Sequence, residues 1–502
     1  MSYFELFLPI FNVQTILVLF AIYLLSSYGF RRRKNLPPGP WCVPLLGNLP
    51  ILALNLYRTG KEPEQLFADM AKKYGEVFSM KIGTKLIVVA NGLRSIKETS
   101  QDPRVNGRPR STLFEEIEYD EAIPFTTGKS WKYQRTFVLN TFRAFGVGRT
   151  RFEGNIIKEA TTLVDDMRNT KGGPFDPHTL IANCVSNVIC SVVLGRRYDH
   201  SDSVFKRLIL LLNQVTHDLG TGILVPFLPV AKYIFAQRYK SIVSSMSELR
   251  KFITTIVDEH RQTFDKDNMK DIVDVFLNEI ELAKIETGDR VNHIHLKSLI
   301  ATTTVLFSAG TETSTSTLRW ALLYMMNYPE IQKRVHQEID AVVGPTCKPQ
   351  WVDRSLLPYT EAVLLEIQRI RTVVAASVPR VASEDTKLVG YDIPKGTAVV
   401  FNHWAVHNDP DVWAEPEQFR PERFVDDDGK LRHREELMPF SKGHRQCPGE
   451  NLAKMEIFLF FTYILHSFTI TKPSDAETPS MKGISGIVLS PTPYQIVITE
   501  RI

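Results

Sequence analysis

The sequence predicts a mainly α-helical protein with small β-sheets, preceded by one N-terminal transmembrane helix. Three observations carry this prediction. Apolar residues recur at helical spacing over long stretches of the chain. Strand-like runs are few and short. One almost continuously apolar run opens the chain and is long enough to cross a bilayer as a helix.

That opening run extends from Phe4 to Phe30, interrupted by Glu5, Asn12 and Gln14, and Arg31, Arg32, Arg33 and Lys34 follow at once. A cleaved signal peptide would carry positive charge before the apolar run, whereas here it lies after. Residues 1–30 therefore read as a retained anchor with a lumenal N-terminus and a cytosolic C-terminal side; a cleavable signal ending near Ser26 and Ser27 is the alternative. Residues 31–50 form a basic and proline-rich linker, in which Pro37, Pro38 and Pro40 fix φ and remove donors, giving a stiff extended spacer. Beyond it there is no internal repeat and no second linker, so residues 51–502 read as one large domain. Helical spacing covers Ile156 to Met167, Lys240 to Phe264, Leu299 to Met326 and Leu452 to Leu465. Lys85 to Ala90, Thr397 to Phe401 and Tyr494 to Thr499 read as strands.

Composition narrows the class. A chain 43% hydrophobic and 23% charged has the apolar material for a packed core, which excludes disorder. A net charge of +4 is far from the clustered basic excess of a nucleic-acid binder, so no nucleic-acid partner is expected. Cys42, Cys184, Cys190, Cys347 and Cys447 are too few and too scattered for a disulfide framework, which points to a reducing compartment.

Cys447 stands apart from the other four, which read as small buried hydrophobes. It lies in Phe440-Ser-Lys-Gly443-His-Arg445-Gln-Cys447-Pro-Gly449, directly before the helix-like Glu450-Asn-Leu-Ala-Lys-Met. A thiol at a helix N-terminus beside an arginine is expected to have a lowered pKa, making it a thiolate and a metal ligand. The two glycines let the backbone approach whatever the sulfur holds.

This loop resembles the haem-thiolate signature of the cytochrome P450 superfamily, Phe-x-x-Gly-x-Arg-x-Cys-x-Gly, and matches all five fixed positions. At average residue usage such a match arises on the order of once in a few million starts. The resemblance implies the cytochrome P450 fold and haem b, with Cys447 as the proximal ligand whose thiolate pushes electron density towards the iron. Pro448 stands where animal members more often have an aliphatic residue with an amide N–H. Its missing donor should leave the thiolate more electron-rich and lower the iron's reduction potential.

Further segments share the resemblance in the family's order, from about Pro37 to the C-terminus. Glu366 and Arg369 at i, i+3 would by themselves be a surface ion pair of little worth. With Arg423 in the downstream Pro-Glu-Arg-Phe turn they resemble the family's Glu-x-x-Arg triad, whose role is structural. Trp131 and Arg135 share one helical face, which alone reads as an exposed basic helix. In the family the equivalent pair holds a haem propionate, and Arg108, Arg380 and Arg445 are candidates for the same work, although close animal relatives usually carry histidine at the position of Arg380. In Ala301 to Ser314, threonines and a mid-helix glycine predict a break in helical geometry. Thr313 back-bonding to the Ala309 carbonyl is the plain reading of that segment. The resemblance instead implies that Glu312 and Thr313 relay protons to dioxygen at the haem, with Ala309 and Gly310 beside the cofactor and Gly310 leaving room for the ligand. Thr360 to Glu366 and Asn402 to Pro410 look most like the animal microsomal branch, which includes drug- and steroid-metabolising enzymes. His403 and His407 read as structural.

By resemblance, Leu113, Phe114, Ile117, Val373, Val374, Ile487 and Val488 line the substrate cavity. They are apolar and offer no fixed cation, so the expected substrate is a small apolar molecule, although core packing accounts for the same residues. The implied activity is that of a monooxygenase, an oxidoreductase acting on paired donors with incorporation of molecular oxygen by hydroxylation or epoxidation. Its electrons would come from NADPH through NADPH–cytochrome P450 reductase, with cytochrome b5 as a second partner. The implied place is the endoplasmic reticulum membrane, single-pass, with the catalytic region cytosolic and in contact with membrane lipid. Two alternatives are a haem-thiolate isomerase or peroxygenase, which needs no external electrons, and a non-catalytic haem sensor. The intact Glu312–Thr313 pair favours the monooxygenase. Lys132 and Lys442 are expected to be exposed for docking an acidic electron donor, and Ile223 to Phe235 to insert shallowly into the membrane.

Overall fold

Thirty-two consecutive residues, Leu296–Asn327, form one unbroken helix despite the threonine run and Gly310. The predicted break is absent. Thr304, Thr313 and Thr317 each donate their hydroxyl to the carbonyl four residues earlier, so the side chains satisfy themselves inside the helix. Burial on nearly all sides then overrides weak helix propensity.

The computed structural model describes residues 18–22, 35–148, 150–220, 231–285, 293–474 and 477–501. Residues 18–22 are helical, and the rest of the expected anchor lies outside the described residues, as do residues 223–230 of the second expected membrane segment. No helix of the described residues is long and apolar enough to cross a membrane.

The chain divides into two compact units, one of residues 1–107 and 376–405, the other of residues 108–375 and 406–502. The first carries helices α1 (Leu49–Thr59), α2 (Pro63–Tyr74) and α3 (Leu93–Gln101), and strands β1 (Val77–Ile82), β2 (Lys85–Ala90), β3 (Arg380–Val381), β4 (Thr386–Leu388), β5 (Tyr391–Ile393) and β6 (Ala398–Phe401). β1, β2, β6 and β3 lie side by side in that order. β2 runs antiparallel to β1 and parallel to β6, which puts the buried Val88, Val89 and Ala90 opposite Val399, Val400 and Phe401. The strands expected at Lys85 to Ala90 and Thr397 to Phe401 are thus neighbours.

The second unit is mostly helix. It contains α4 (Thr112–Glu116), α5 (Gly128–Ala144), α6 (Thr150–Arg168), α7 (His178–Val193), α8 (Ser203–Gly220), α9 (Ala236–Thr263), α10 (Ile272–Ile285), α11 (Leu296–Asn327), α12 (Pro329–Val342), α13 (Pro358–Ile370) and α14 (Glu450–Ser467). Three of the four predicted helical stretches fall inside one of these, and the fourth, Lys240 to Phe264, overruns α9 by one residue because Phe264 is already extended. Short antiparallel pairs join β7 (Phe468–Thr471) to β10 (Val497–Glu500) and β8 (Gly483–Ile484) to β9 (Ser490–Pro491). The last strand begins three residues later than its apolar run suggests, because Ile496 first bridges to Phe175.

α11 runs through the middle of this unit and touches α7, α9, α10, α12, α13 and α14. α14 is apolar on all faces and is buried from Met455 to Ser467, as a helix enclosed on every side must be. These two helices carry the residues of interest at their ends and middle.

Candidate active site

The loop before α14 is shaped by its backbone. Ser441 and Gly443 take positive φ, 61° and 77°, and the Cys447 amide closes the turn on the Phe440 carbonyl at 3.0 Å. A non-glycine residue in the left-handed region is strained, and such strain gathers at functional sites. Gly449 caps α14, so Cys447 lies two residues before the positive end of its dipole. The Cys447 side chain remains accessible although the helix behind it is closed.

The expectation of a lowered Cys447 pKa is corrected. Although the residue keeps accessible surface, the thiol is pushed up, first by desolvation from the protein atoms around it and also by the Glu450 carboxylate, against the opposing pull of the Gly449 amide and Arg135. Arg445, the cation nearest in sequence, points elsewhere. It donates to the carbonyls of Ile123 (3.3 Å) and Thr126 (2.7 Å) and stacks 4.2 Å from the Trp131 ring centroid. A bound metal ion would favour the thiolate at this sulfur.

Trp131 and Arg135 sit one turn apart on α5, with the Arg135 guanidinium 6.0 Å from the indole. Trp131 therefore has Arg135 and Arg445 as neighbours, and Arg135 is close enough to feel the charge of Cys447. Arg108 donates to the Pro124 carbonyl at 2.6 Å, in the same 122–126 loop that receives Arg445, and burial pulls its pKa down to about 10. Arg380 belongs to the other unit, where it is buried in β3, lies 4.5 Å from the Phe401 ring and donates to the Ser100 carbonyl. Phe440 is half-buried with the Lys454 ammonium 5.6 Å from its ring.

On α11, Ala309 is exposed, whereas most of the helix from Leu299 to Met326 is buried. Thr313, one turn on, is half-exposed and donates to the Ala309 carbonyl at 2.8 Å. Glu312 turns away from it. Ser316 and Ser490 offer hydroxyls to Glu312 Oε1 at 3.3 and 3.5 Å and lie 2.7 Å from each other. Burial raises the Glu312 pKa to about 7, against the pull of Arg319 and the two serines. The acid and the alcohol thus share a helix but not a hydrogen bond. Gly310 packs against α7: a Cβ there would come 2.7 Å from Ile189 Cδ1, so the glycine leaves room for a side chain of the protein itself.

Glu366 and Arg369 pair in a fully buried bidentate bridge, Nε–Oε2 2.7 Å and Nη2–Oε1 2.8 Å, and Arg423 Nε reaches Glu366 Oε1 at 3.2 Å. Arg369 also donates to the His407 and Pro416 carbonyls, and Arg423 to those of Ala414 and Glu415. His407 is a buried strut as expected: the Met438 amide donates to its Nε2 at 2.9 Å, which leaves Nδ1–H for the Thr372 hydroxyl at 2.7 Å.

Leu113, Phe114, Ile117, Val373 and Val488 are buried in one apolar cluster, and Val374 packs against it. The Leu489 amide donates to the Val373 carbonyl at 2.7 Å, which brings the last two candidate segments together. Ile487 is exposed and outside that cluster. Lys442 is largely covered, with Glu435 3.8 Å from its ammonium, while Lys132 is exposed.

Sequence reasoning missed Ser316, Ser490 and Glu456. Ser490 is 174 residues from Ser316, so no local spacing could have joined them. Glu456 sits in the apolar α14, accepts from Ser314 at 2.9 Å, and is pushed up to about 8 by complete burial. An acid inside the apolar run that follows Lys454 was the available signal.

The fit to a haem group rests on the donor set. An accessible thiol at a helix N-terminus supplies a soft ligand, and two arginines against one indole supply counter-charges for paired carboxylates. The cytochrome P450 family model matches residues 37–498. The chain is 38% identical to cytochrome P450 2J2 of Homo sapiens, over 97% of this chain and 96% of that one. It is 38% identical to cytochrome P450 2J5 of Mus musculus (96% and 94%) and 35% identical to cytochrome P450 2U1 of Homo sapiens (94% and 90%). The chain belongs to the cytochrome P450 family: it is a haem-thiolate monooxygenase, an oxidoreductase that uses haem iron. Its relatives place it in the animal microsomal branch of that family.

Proposed function

We propose that this monooxygenase inserts one oxygen atom from O2 into a small apolar organic substrate, by hydroxylation or epoxidation. Electrons come from NADPH through a separate NADPH–cytochrome P450 reductase, with cytochrome b5 as a second donor. The observation that carries this reading is the accessible Cys447 sulfur at the head of α14, with Arg135 and Arg445 against Trp131.

Haem b, when bound through Cys447, supplies the oxygen activation and the oxidising power. The chain's own residues do the rest. Trp131, Arg135, Arg445 and Arg108 hold carboxylates, and Arg380 is assigned the same work by the family resemblance alone. Phe440 and Gly449 shape the cysteine turn, and Ala309 leaves the helix surface open next to Thr313. Thr313 Oγ1 orients a proton, and Glu312, with a pKa near 7, is poised both to hold one and to release it. Leu113, Phe114, Ile117, Val373, Val374, Ile487 and Val488 favour an apolar molecule by excluding water. Glu366, Arg369 and Arg423 keep the surrounding frame rigid.

Residues 1–30 serve as a single-pass anchor in the endoplasmic reticulum membrane, residues 31–50 as a linker, and residues 51–502 as the cytosolic catalytic region. The charge order of the opening run supports this arrangement.

Substituting Cys447→Ser tests the core of the reading. The reduced carbon monoxide complex of the parent should show the red-shifted Soret band of a thiolate-ligated haem, and the variant should lose it. Retention of that band would refute the ligand assignment.

A further inference from the structure

We propose that Glu159, Cys184 and His200 form a binding site for one divalent transition-metal ion of the zinc class, held between α6, α7 and the segment leading to α8. None of these residues takes part in the site built around Cys447.

The ligating atoms converge from three separate elements. Cys184 Sγ and His200 Nε2 are 3.9 Å apart, His200 Nε2 and Glu159 Oε2 are 3.9 Å apart, and all three atoms lie within 4.8 Å of one another. Zinc bonds of about 2.3 Å to sulfur and about 2.0 Å to nitrogen at a tetrahedral angle set those two ligands ~3.5 Å apart, so the Cys184–His200 pair needs to close by only about half an ångström. Three protein ligands leave the fourth position for water, on the side where His200 is partly exposed.

The surroundings match a metal site in two further respects. His200 presents Nε2 to the cluster while Nδ1 lies 2.9 Å from Asp166 Oδ2, the carboxylate–histidine arrangement that fixes the tautomer of a ligating imidazole. Cys184 is fully buried, and His200 is the polar neighbour its sulfur meets. Arg197 Nε donates to Glu159 Oε1 at 2.5 Å, and Oε2, the oxygen nearer the cluster, accepts only long bonds from Asn187 Nδ2 (3.4 Å) and Arg197 Nη2 (3.5 Å).

The donor set decides what the site accepts: a cysteine sulfur, an imidazole nitrogen and one carboxylate oxygen suit a divalent ion of borderline softness. A hard cation such as Mg2+ would gain nothing from sulfur and nitrogen.

Occupancy would pin α6 to α7, and α7 backs α11. Two residues beyond Cys184, the Ser186 hydroxyl donates to Thr311 Oγ1 at 3.3 Å, and Ile189 fills the space left by Gly310. The ion would therefore stiffen the helix pair behind the oxygen-activating segment.

The test uses the haem-loaded full chain, in which Cys447 is already engaged, freed of metal by dialysis against a chelator. Zn2+ titrated against a competing chromophoric chelator should report one equivalent, and calorimetry in two buffers should report proton release on binding. Cd2+ should give a thiolate-to-metal ultraviolet band that Cys184→Ala abolishes. Asp166→Asn, which touches no ligating atom, should weaken Zn2+ binding about 10- to 100-fold. The carbon monoxide difference spectrum of each variant checks its fold, and His200→Gln serves if Cys184→Ala fails that check. Absence of a bound equivalent, or an equivalent that survives both Cys184→Ala and His200→Gln, would overturn the site and leave the cluster as an ion-pair network.

Discussion

Thr313 donates its hydroxyl to the Ala309 carbonyl at 2.8 Å, one turn back along α11. The bond keeps the alcohol ordered in the middle of the helix, beside the exposed Ala309. Thr313→Ala removes the hydroxyl but no packing of note, so the carbon monoxide spectrum and substrate binding should be unchanged. Reducing equivalents should shift from product to hydrogen peroxide by several-fold, because the proton is no longer delivered in place. An unchanged ratio of peroxide to product would end the relay reading.

Glu312 gives that relay a pH signature. Its carboxyl titrates near 7 because burial disfavours the charged form. Below that pH it carries a proton to donate; above it the proton is gone. Coupling of NADPH consumption to product should therefore decline as pH rises through about 7 in the parent. Glu312→Gln should be slower at every pH and lack that inflection. Serine substitutions at neither ligand nor cavity, Ser316→Ala and Ser490→Ala, should move the inflection upward, since both hydroxyls favour the carboxylate.

The Glu366–Arg369–Arg423 network makes the sharpest stability prediction. Glu366 and Arg369 are wholly buried, so removing the carboxylate strands two guanidiniums. Breaking one partner of such a buried pair costs about 3–5 kcal/mol. Glu366→Ala should lower the urea midpoint accordingly and release haem during purification. A variant within about 1 kcal/mol of the parent would show that the backbone carbonyls around Arg369 suffice.

How much of this was legible in the chain depends on range. Lys85 to Ala90 and the helix over Leu452 to Leu465 were readable because each is set by its own apolar pattern. Cys447, Arg369 and Arg423 were readable because family motifs mark them. The unbroken α11 was not, since burial against the helices around it outweighs the propensity of its threonines. Nor was the raised Cys447 thiol: the sequence displays a helix start and an arginine, but Arg445 is committed to the 122–126 loop and enclosure dominates. Ser490 beside Glu312 and His200 beside Cys184 are products of tertiary folding alone.

Glu456 offers a test that needs neither substrate nor reductase. Its carboxyl is buried in α14, Ser314 donates to Oε2 at 2.9 Å, and Oε1 has no hydrogen-bond partner among the described residues. Burial raises its pKa from 4.5 to about 8, with the Ser314 bond pulling modestly the other way. The folded state therefore binds this proton more tightly than the unfolded chain does. The stability that follows is fully present below pH 4.5, where both states are protonated, and drains away between pH 4.5 and about 8 as only the unfolded chain ionises. Above that range both states are charged and the loss is constant, of the order of a few kcal/mol. Glu456→Gln keeps the shape and cannot ionise, so its stability lacks this slope. Relative to the parent, the variant's melting temperature should climb by several degrees between pH 5 and pH 8.5, whatever offset the amide introduces at low pH. Combining it with Glu312→Gln should steepen the climb, because Glu312 is raised by the same cause. A difference that stays flat across that range would mean that the unfolded and folded chains hold this proton alike, and that Glu456 is solvated rather than enclosed between α14 and α11.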